Sequence, residues 1–168
     1  MGLLAGQLRK VTGQPVQALN LSRSGARIDD LIRTQRPRLR TLHPDLVTVA
    51  IGGNDMRAYD RGTCAQRGDI LTAALPAGTV LADIPFMHGH WEGDAQQAAT
   101  IMRRSAWRRE LTVIRLHAAL HREGWSALLT QTAADWFHPN DRGYQVWATS
   151  FWAALVASPT CRGPGSTA

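Results

Sequence analysis

The sequence predicts an α/β protein with a parallel sheet covered by helices. One observation is the nearly continuous apolar run over residues 46–51, which ends in two glycines as a buried parallel strand often does. The other is the helical spacing of apolar residues in segments 28–39 and 141–156. Strands that alternate with helices are joined by right-handed crossovers into one parallel sheet.

The first half of the chain is predicted to hold two helices and two strands. Leucines recur at helical spacing in residues 2–11, so we expect a helix there. The short apolar segment 15–21 is expected to form a strand. An apolar face that begins at Ile28 predicts the helix over residues 28–39, and the buried strand over residues 46–51 follows it.

The second half continues the alternation of helices and strands. Apolar spacing predicts helices over residues 65–75, 95–123 and 141–156. Short apolar segments predict strands over residues 79–84 and 126–130. We find no internal repeat and no linker, so the strands are expected to share one sheet.

The composition is that of a globular domain. Hydrophobic residues make up 44% of the 168 residues and charged residues 19%, which suits one domain with its own core. We expect residues 1–157 to form that domain and the polar residues 158–168 to be a disordered tail. No apolar run approaches the roughly 18 residues of a membrane span, and no secretory signal is recognisable, so we expect a cytoplasmic protein.

The chain carries a formal net charge of +6, so a basic domain that binds anions or nucleic acid is one alternative. The arginines are spread over two predicted helices and are not interleaved with aromatic residues that could stack on bases. They are expected to form a solvated surface. We therefore expect no nucleic-acid partner.

The sequence offers no convincing metal site. Two isolated cysteines, Cys64 and Cys161, do not make one, and we expect them to be unpaired thiols. His88 and His90 lack a third ligand at suitable spacing, so we expect them to lie with Met87 in a loop that lines a pocket. Neither a metal nor a cofactor is expected.

Three polar turns carry the candidate chemistry, and the carboxyl ends of parallel strands can bring them to one edge. Asp135 stands three positions before His138 and can hold one ring nitrogen, which makes the other a general base. The backbone N–H of Gly25 and the side-chain amide of Asn54 are neutral donors suited to an oxyanion. Asn140 is expected to cap the final helix.

These turns resemble the SGNH, or GDSL-type, serine hydrolases. Residues 20–26 resemble the second sequence block of that family, residues 52–55 the third, and residues 135–139 with Gly143-Tyr144 the fifth. The resemblance implies a three-layer α/β/α, flavodoxin-like fold that hydrolyses a carboxylic ester. It implies that a small-molecule, lipid or carbohydrate ester is the substrate.

The resemblance also assigns the roles of four residues. His138 takes the place of the base, Asp135 orients it, and Gly25 and Asn54 form the oxyanion hole.

The first block of the family, a Gly-Asp-Ser segment that supplies the nucleophile, has no counterpart in this sequence. The nearest serines, Ser22 and Ser24, belong to the second block, so no nucleophile is assigned. The chain is then expected to begin after its first, central strand, which leaves a gap between segments 15–21 and 46–51. We expect a marginally stable and hydrolytically inactive chain; a non-catalytic or truncated family member is the alternative interpretation.

Overall fold

A computed structural model describes residues 2–157 of the chain; Met1 and residues 158–168, with the predicted tail and Cys161, lie outside the described residues. Its centre is a parallel sheet of three short strands, β1 (Thr48–Val49), β2 (Val80–Ala82) and β3 (Thr112–Ile114). The strands lie side by side in the order β1-β2-β3, so β2 is central.

Helices connect and cover the strands. They are α1 (Gly2–Thr12), α2 (Ile28–Asp30), α3 (Arg36–Leu42), α4 (Arg61–Ala74), α5 (Glu92–Trp107), α6 (Leu116–His121), α7 (Gly124–Gln131) and α8 (Asp141–Ala157). A π-helical turn, Leu31–Gln35, joins α2 to α3, and two 3₁₀ turns cover Gly53–Ala58 and Gly89–Trp91.

The side chains of the sheet alternate between two apolar layers, as the two-residue period of a strand requires. Leu81 faces a layer that contains Ile28, Leu71 and Met102, from α2, α4 and α5. Val80 and Ala82 face the opposite layer, built with α6 and α8 and with a partly buried leucine of α1. Helices therefore cover both faces of a parallel sheet, and the predicted α/β/α layering is confirmed.

The strand predicted over residues 15–21 is absent. In this segment only Val16 and Leu21 are partly buried, and the other side chains are exposed. An extended segment becomes a strand only when its backbone pairs with a neighbour, and among the described residues no strand pairs with it. The outer edge of β1 is likewise free in the described sheet.

The single helix predicted over residues 95–123 is wrong. Helix α5 ends at Trp107, Glu110 has a left-handed φ of 54°, and β3 and α6 follow. The run from Leu111 to Ile114 is rich in β-branched residues, which favour a strand. Apolar spacing counted over the whole segment obscured this local preference.

The strand predicted over residues 126–130 is also wrong, because these residues lie in α7. Their apolar run is too short to distinguish a strand from a buried helix by periodicity. The structure places Ala127 in the interior and leaves Leu129 exposed, which is the one-sided burial of a surface helix. The predicted strands around residues 48 and 81 are confirmed within their ranges, and the predicted final helix is confirmed and extends one residue further, to Ala157.

None of the helices described over residues 2–157 is long and apolar enough to cross a membrane.

Candidate active site

The loop that carries Asp135 and His138 is closed by its own backbone. Thr132 and Pro139 form an isolated antiparallel bridge, and the N–H of Ala133 donates to the carbonyl of His138 at 2.7 Å. Trp136, at the tip, has a left-handed φ of 57° and an exposed ring. We call residues 132–140 the dyad loop. The two ends of the loop are hydrogen-bonded to each other, so residues within the loop determine its shape.

Asn140 joins the dyad loop to the helices on either side. Its amide nitrogen donates to the carbonyls of Thr130 and Thr132, each at 3.0 Å, and its side-chain oxygen accepts from the N–H of Gly143 at 3.0 Å. The last contact is that of an N-cap, so the capping of α8 by Asn140 is confirmed. One amide thereby holds the end of α7 and the start of α8.

Gly143 allows the start of α8 to approach the end of α7. A Cβ at this position would overlap the backbone carbonyl of Gln131 and lie 2.9 Å from Cβ of Pro139. Contacts this short require something to move, and here one neighbour is backbone. The glycine of the Gly-Tyr pair is therefore needed for the close approach of two backbones beneath the dyad loop.

The central contact of the site joins Oδ2 of Asp135 to Nδ1 of His138 at 2.5 Å. The other carboxylate oxygen accepts from the N–H groups of Phe137 at 3.1 Å and His138 at 3.0 Å. The bond to the imidazole, followed by the two backbone bonds, holds the pKa of Asp135 far below its usual range. The carboxylate is thus ionised and orients the ring.

The second ring nitrogen of His138, Nε2, has no hydrogen-bond partner within residues 2–157, and the side chain is 45% exposed. When Nδ1 donates to the carboxylate, Nε2 carries a lone pair that faces solvent. Nε2 of His138 can therefore accept a proton from an approaching hydroxyl or water. This is the geometry that a general base requires.

The candidate oxyanion donors lie in two turns that contact each other. The side-chain nitrogen of Asn54 donates to the carbonyl of Ala26 at 3.0 Å, and Gly25, next to Ala26, is exposed with a φ of 74°. The amide of Asn54 has a second hydrogen that this bond does not use. The structure thus brings Gly25 and Asn54 to neighbouring positions, as their turns predict.

Asp55 ties these turns together through contacts that reach outside its own turn. Its carboxylate accepts from the N–H of Ile28 at 3.1 Å and from Arg67 at 3.3 Å, and Arg67 also contacts Asp29 at 3.1 Å. Burial raises the pKa of Asp55, although the Ile28 N–H and the Arg67 guanidinium oppose that shift. The start of α2 and the Gly53–Ala58 turn are tied together at this carboxylate.

The aromatic ring of Phe137 links the dyad loop to the Gly53–Ala58 turn. The guanidinium of Arg57 lies 5.4 Å from the ring centroid, within cation–π range. The Trp91 ring packs against the same ring at a centroid distance of 6.1 Å. Because Arg57 and Phe137 are far apart in sequence, no local spacing indicates this contact.

No serine hydroxyl within the described residues bonds to His138. Ser22 donates to Asn20 at 2.6 Å and Ser105 to Asp69 at 2.5 Å. Two further serines donate to carbonyls of their own helical turns: Ser126 to Glu123 and Ser150 to Val146. These four hydroxyls are committed to other partners. The hydroxyl of Ser24, in an exposed turn, makes no hydrogen bond to His138 either, so none of the described serines is placed as a nucleophile.

Within residues 2–157, no three His, Cys, Asp or Glu side chains are grouped so that they could hold a metal ion. The rings of His88 and Trp125 are stacked at a centroid distance of 5.2 Å, and those of His90 and Trp91 lie 4.2 Å apart.

Burial raises the pKa of the Cys64 thiol, which disfavours the reactive thiolate.

A family profile and several solved structures match the chain. The family profile of the GDSL-like Lipase/Acylhydrolase family matches residues 1–146. No curated protein matches the chain.

Several solved structures have a similar fold. One is LAE5, an α/β hydrolase enzyme from the metagenome of Lake Arreo, Spain, with a TM-score of 0.78 at 23% identity over 96% of this chain and 81% of that one. A lipase/acylhydrolase from Enterococcus faecalis has a TM-score of 0.78 at 16% identity, over 91% and 82% of the two chains. Axe2, an acetylxylan esterase from Geobacillus stearothermophilus, has 0.73 at 20% identity, over 95% and 81%. At these identities the likeness establishes the fold.

Proposed function

Because the chain belongs to the GDSL-like lipase/acylhydrolase family, we propose that its site is the acid–base and oxyanion part of a serine esterase. The observation that carries the proposal is the 2.5 Å bond from Asp135 to Nδ1 of His138, which leaves Nε2 turned to solvent. Membership of this family supports ester hydrolysis in general. The catalytic roles of individual residues go beyond family membership and are part of our proposal.

In the proposed reaction, Nε2 of His138 takes the proton of a serine hydroxyl as the serine oxygen attacks the ester carbonyl. The N–H of Gly25 and the amide of Asn54 donate to the oxyanion that forms. His138 then protonates the leaving alcohol, and an acyl-enzyme remains. Water, deprotonated by the same nitrogen, releases the acid and restores the serine. Asp135 orients the ring throughout.

The serine of this scheme has no counterpart in the 168 residues, which contain no Gly-Asp-Ser segment. We therefore propose that these residues by themselves do not turn over esters. A non-catalytic role of the same fold remains the second candidate, and the lack of a committed serine hydroxyl at His138 favours it. If a Gly-Asp-Ser segment is added to the chain, the esterase hypothesis predicts activity and the non-catalytic hypothesis predicts none.

The proposed substrate is a small carboxylic ester, including an O-acetyl carbohydrate. One of the proteins with a similar fold is an acetylxylan esterase, and alanine variants of a serine and of an aspartate in it are described as catalytic mutants. A serine and an aspartate are also the two residue types that act beside the histidine in our scheme, which supports a role for Asp135. The exposed Asp135–His138 pair would admit an ester group attached to a larger body.

The test compares two forms of the protein with p-nitrophenyl acetate as substrate. The 168-residue chain is expected to hydrolyse it no faster than buffer. The same chain preceded by a strand that ends in Gly-Asp-Ser is expected to hydrolyse it with saturable kinetics. In that extended chain His138→Ala should lower kcat by about 100-fold or more, whereas His90→Ala, at an exposed histidine outside the scheme, should not.

Saturable turnover by residues 1–168 alone would overturn the proposed inactivity. A folded extended chain without activity would overturn the esterase assignment in favour of the non-catalytic role.

A further inference from the structure

A groove lies directly behind the dyad loop. Phe137 and Pro139, the sequence neighbours of His138, line one side of it, and Met87, Leu128 and Trp147 line another. The groove contains about 470 Å³ of space, part of which is open to solvent. We call it the Gln131 groove, after the most deeply buried polar residue of its lining.

The Gln131 groove adjoins both parts of the candidate site. The methyl group of Met87 lies 3.6 Å from where a Cβ of Gly53 would be, so this side chain reaches the turn that carries Asn54. Phe137 connects the groove to His138 on the other side. His138 itself does not line the groove, but Phe137 and Pro139 on either side of it do, so a molecule held in the groove would lie near the proton-accepting imidazole.

The lining of the groove is mainly apolar, with one unusual polar group. Gln131 is 3% exposed, and its side-chain nitrogen donates to the carboxylate of Glu123. Its side-chain oxygen has no partner among the described residues. The orientation of the amide is fixed, because turning it over would place the oxygen against the carboxylate. A buried acceptor is thus left unpaired in an apolar wall, where a donor would stabilise it.

We infer that the Gln131 groove binds the alcohol portion of the substrate through a free hydroxyl that donates to the side-chain oxygen of Gln131. This inference rests on the proposed esterase function. An acyl group of a simple ester has no hydrogen-bond donor, whereas the alcohol portion of a partly acylated polyol or sugar retains free hydroxyls. The apolar side chains, Phe137 and Trp147 among them, suit the C–H faces of such a ring.

The test measures binding, so it does not depend on turnover. The 168-residue protein is titrated with benzyl alcohol and with toluene, which differ in one hydroxyl, and the indole N–H of Trp147 is followed by NMR. Benzyl alcohol is expected to bind about tenfold more tightly, as one neutral hydrogen bond predicts. In Gln131→Met the two ligands should bind alike, while Gln145→Met, at an exposed glutamine on α8, should keep the preference.

Equal affinities in the unaltered protein, or a preference that survives in Gln131→Met, would overturn the inference. Benzyl methyl ether, which is polar but has no donor, keeps the test decisive if Gln131→Met does not fold: it must bind no better than toluene. The outcome is also separable from that of the esterase assay. Esterase activity without groove binding would reject this inference alone, and groove binding without esterase activity would reject only its assignment to an ester's alcohol.

Discussion

At the scale of single residues, the Asp135 carboxylate is held almost entirely by its own loop. Its three hydrogen bonds come from the N–H groups of Phe137 and His138 and from the His138 ring. A spacing of three residues is enough to predict this pair, because the contact is local. The contact between Arg57 and Phe137 could not be predicted in this way, since only the folded sheet brings the two residues together.

The lowered pKa of Asp135 gives a prediction about stability and pH. The carboxyl of the unfolded chain has a pKa near 3.9, and that of the folded chain is lower. The unfolded state therefore binds the proton first as the pH falls, and the stabilisation from this carboxylate is lost below about pH 4. Asp135→Asn should reduce the free energy of unfolding at pH 7, and its deficit should shrink between about pH 5 and pH 3.

Urea unfolding at several pH values measures this deficit. Asp45→Asn is the matched control, because the structure records no hydrogen bond or ion pair to the Asp45 side chain. A deficit that stayed constant down to pH 3 would show that the ionised Asp135 does not stabilise the fold.

At the scale of secondary structure, the sequence located those elements whose pattern is unambiguous. Strands β1 and β2 lie within their predicted ranges, and the long amphipathic α8 matches its predicted range to within one residue. The errors fall where two structures share a pattern: β3 and α6 were merged into α5, and α7 was taken for a strand. Periodicity alone does not resolve short apolar segments, and their assignment depends on what the rest of the chain places next to them.

A buried carboxylate joins three of these elements. Asp83, which follows β2, accepts from Arg103 of α5 at 2.6 Å and from the N–H of His117 in α6 at 2.9 Å. Its side chain has no exposed surface, and burial raises its pKa despite the opposing His117 N–H and Arg103. One side chain thus ties the central strand to helices on both faces of the sheet.

Asp83→Ala should therefore be severely destabilising, by about 3–5 kcal/mol, because it removes one partner of a buried ion pair and leaves the N–H of His117 without its acceptor. Arg108→Ala is the matched control. It breaks the ion pair with Asp69, in which both side chains are half-exposed, but leaves Asp69 as the acceptor of the Ser105 hydroxyl, and should cost less than about 1 kcal/mol. Chemical denaturation of both variants decides the matter, and equal costs would refute the bracing role of Asp83.

At the scale of the whole molecule, the free outer edge of β1 is the main exception to a well-covered fold. Layers of helices cover both faces of the sheet, but in residues 2–157 no strand covers this edge. Thr48 is exposed there and Val49 is buried. A sheet edge with unpaired N–H and C=O groups can pair with the edge of another chain. The free edge of β1 is therefore a candidate site for association between two molecules of this protein.

We predict that the protein self-associates through this edge and that Thr48→Lys reduces the association, because a charged side chain on an edge strand opposes pairing. Size-exclusion chromatography with light scattering over a range of concentrations measures it. Thr149→Lys adds the same charge at an exposed position of α8 and should leave the association unchanged. An equal effect of the two variants would assign the change to net charge and not to the edge.

The bridge between Thr132 and Pro139 also bears on the order of folding. The Asp135–His138 pair, the bridge and the cap of α8 all join residues within a span of about 14 positions, so little loop-closure entropy opposes them. The β1–β2 pairing, by contrast, must wait until more than 30 intervening residues are brought together. The proton-handling part of this molecule is therefore expected to assemble early and independently of the sheet it serves.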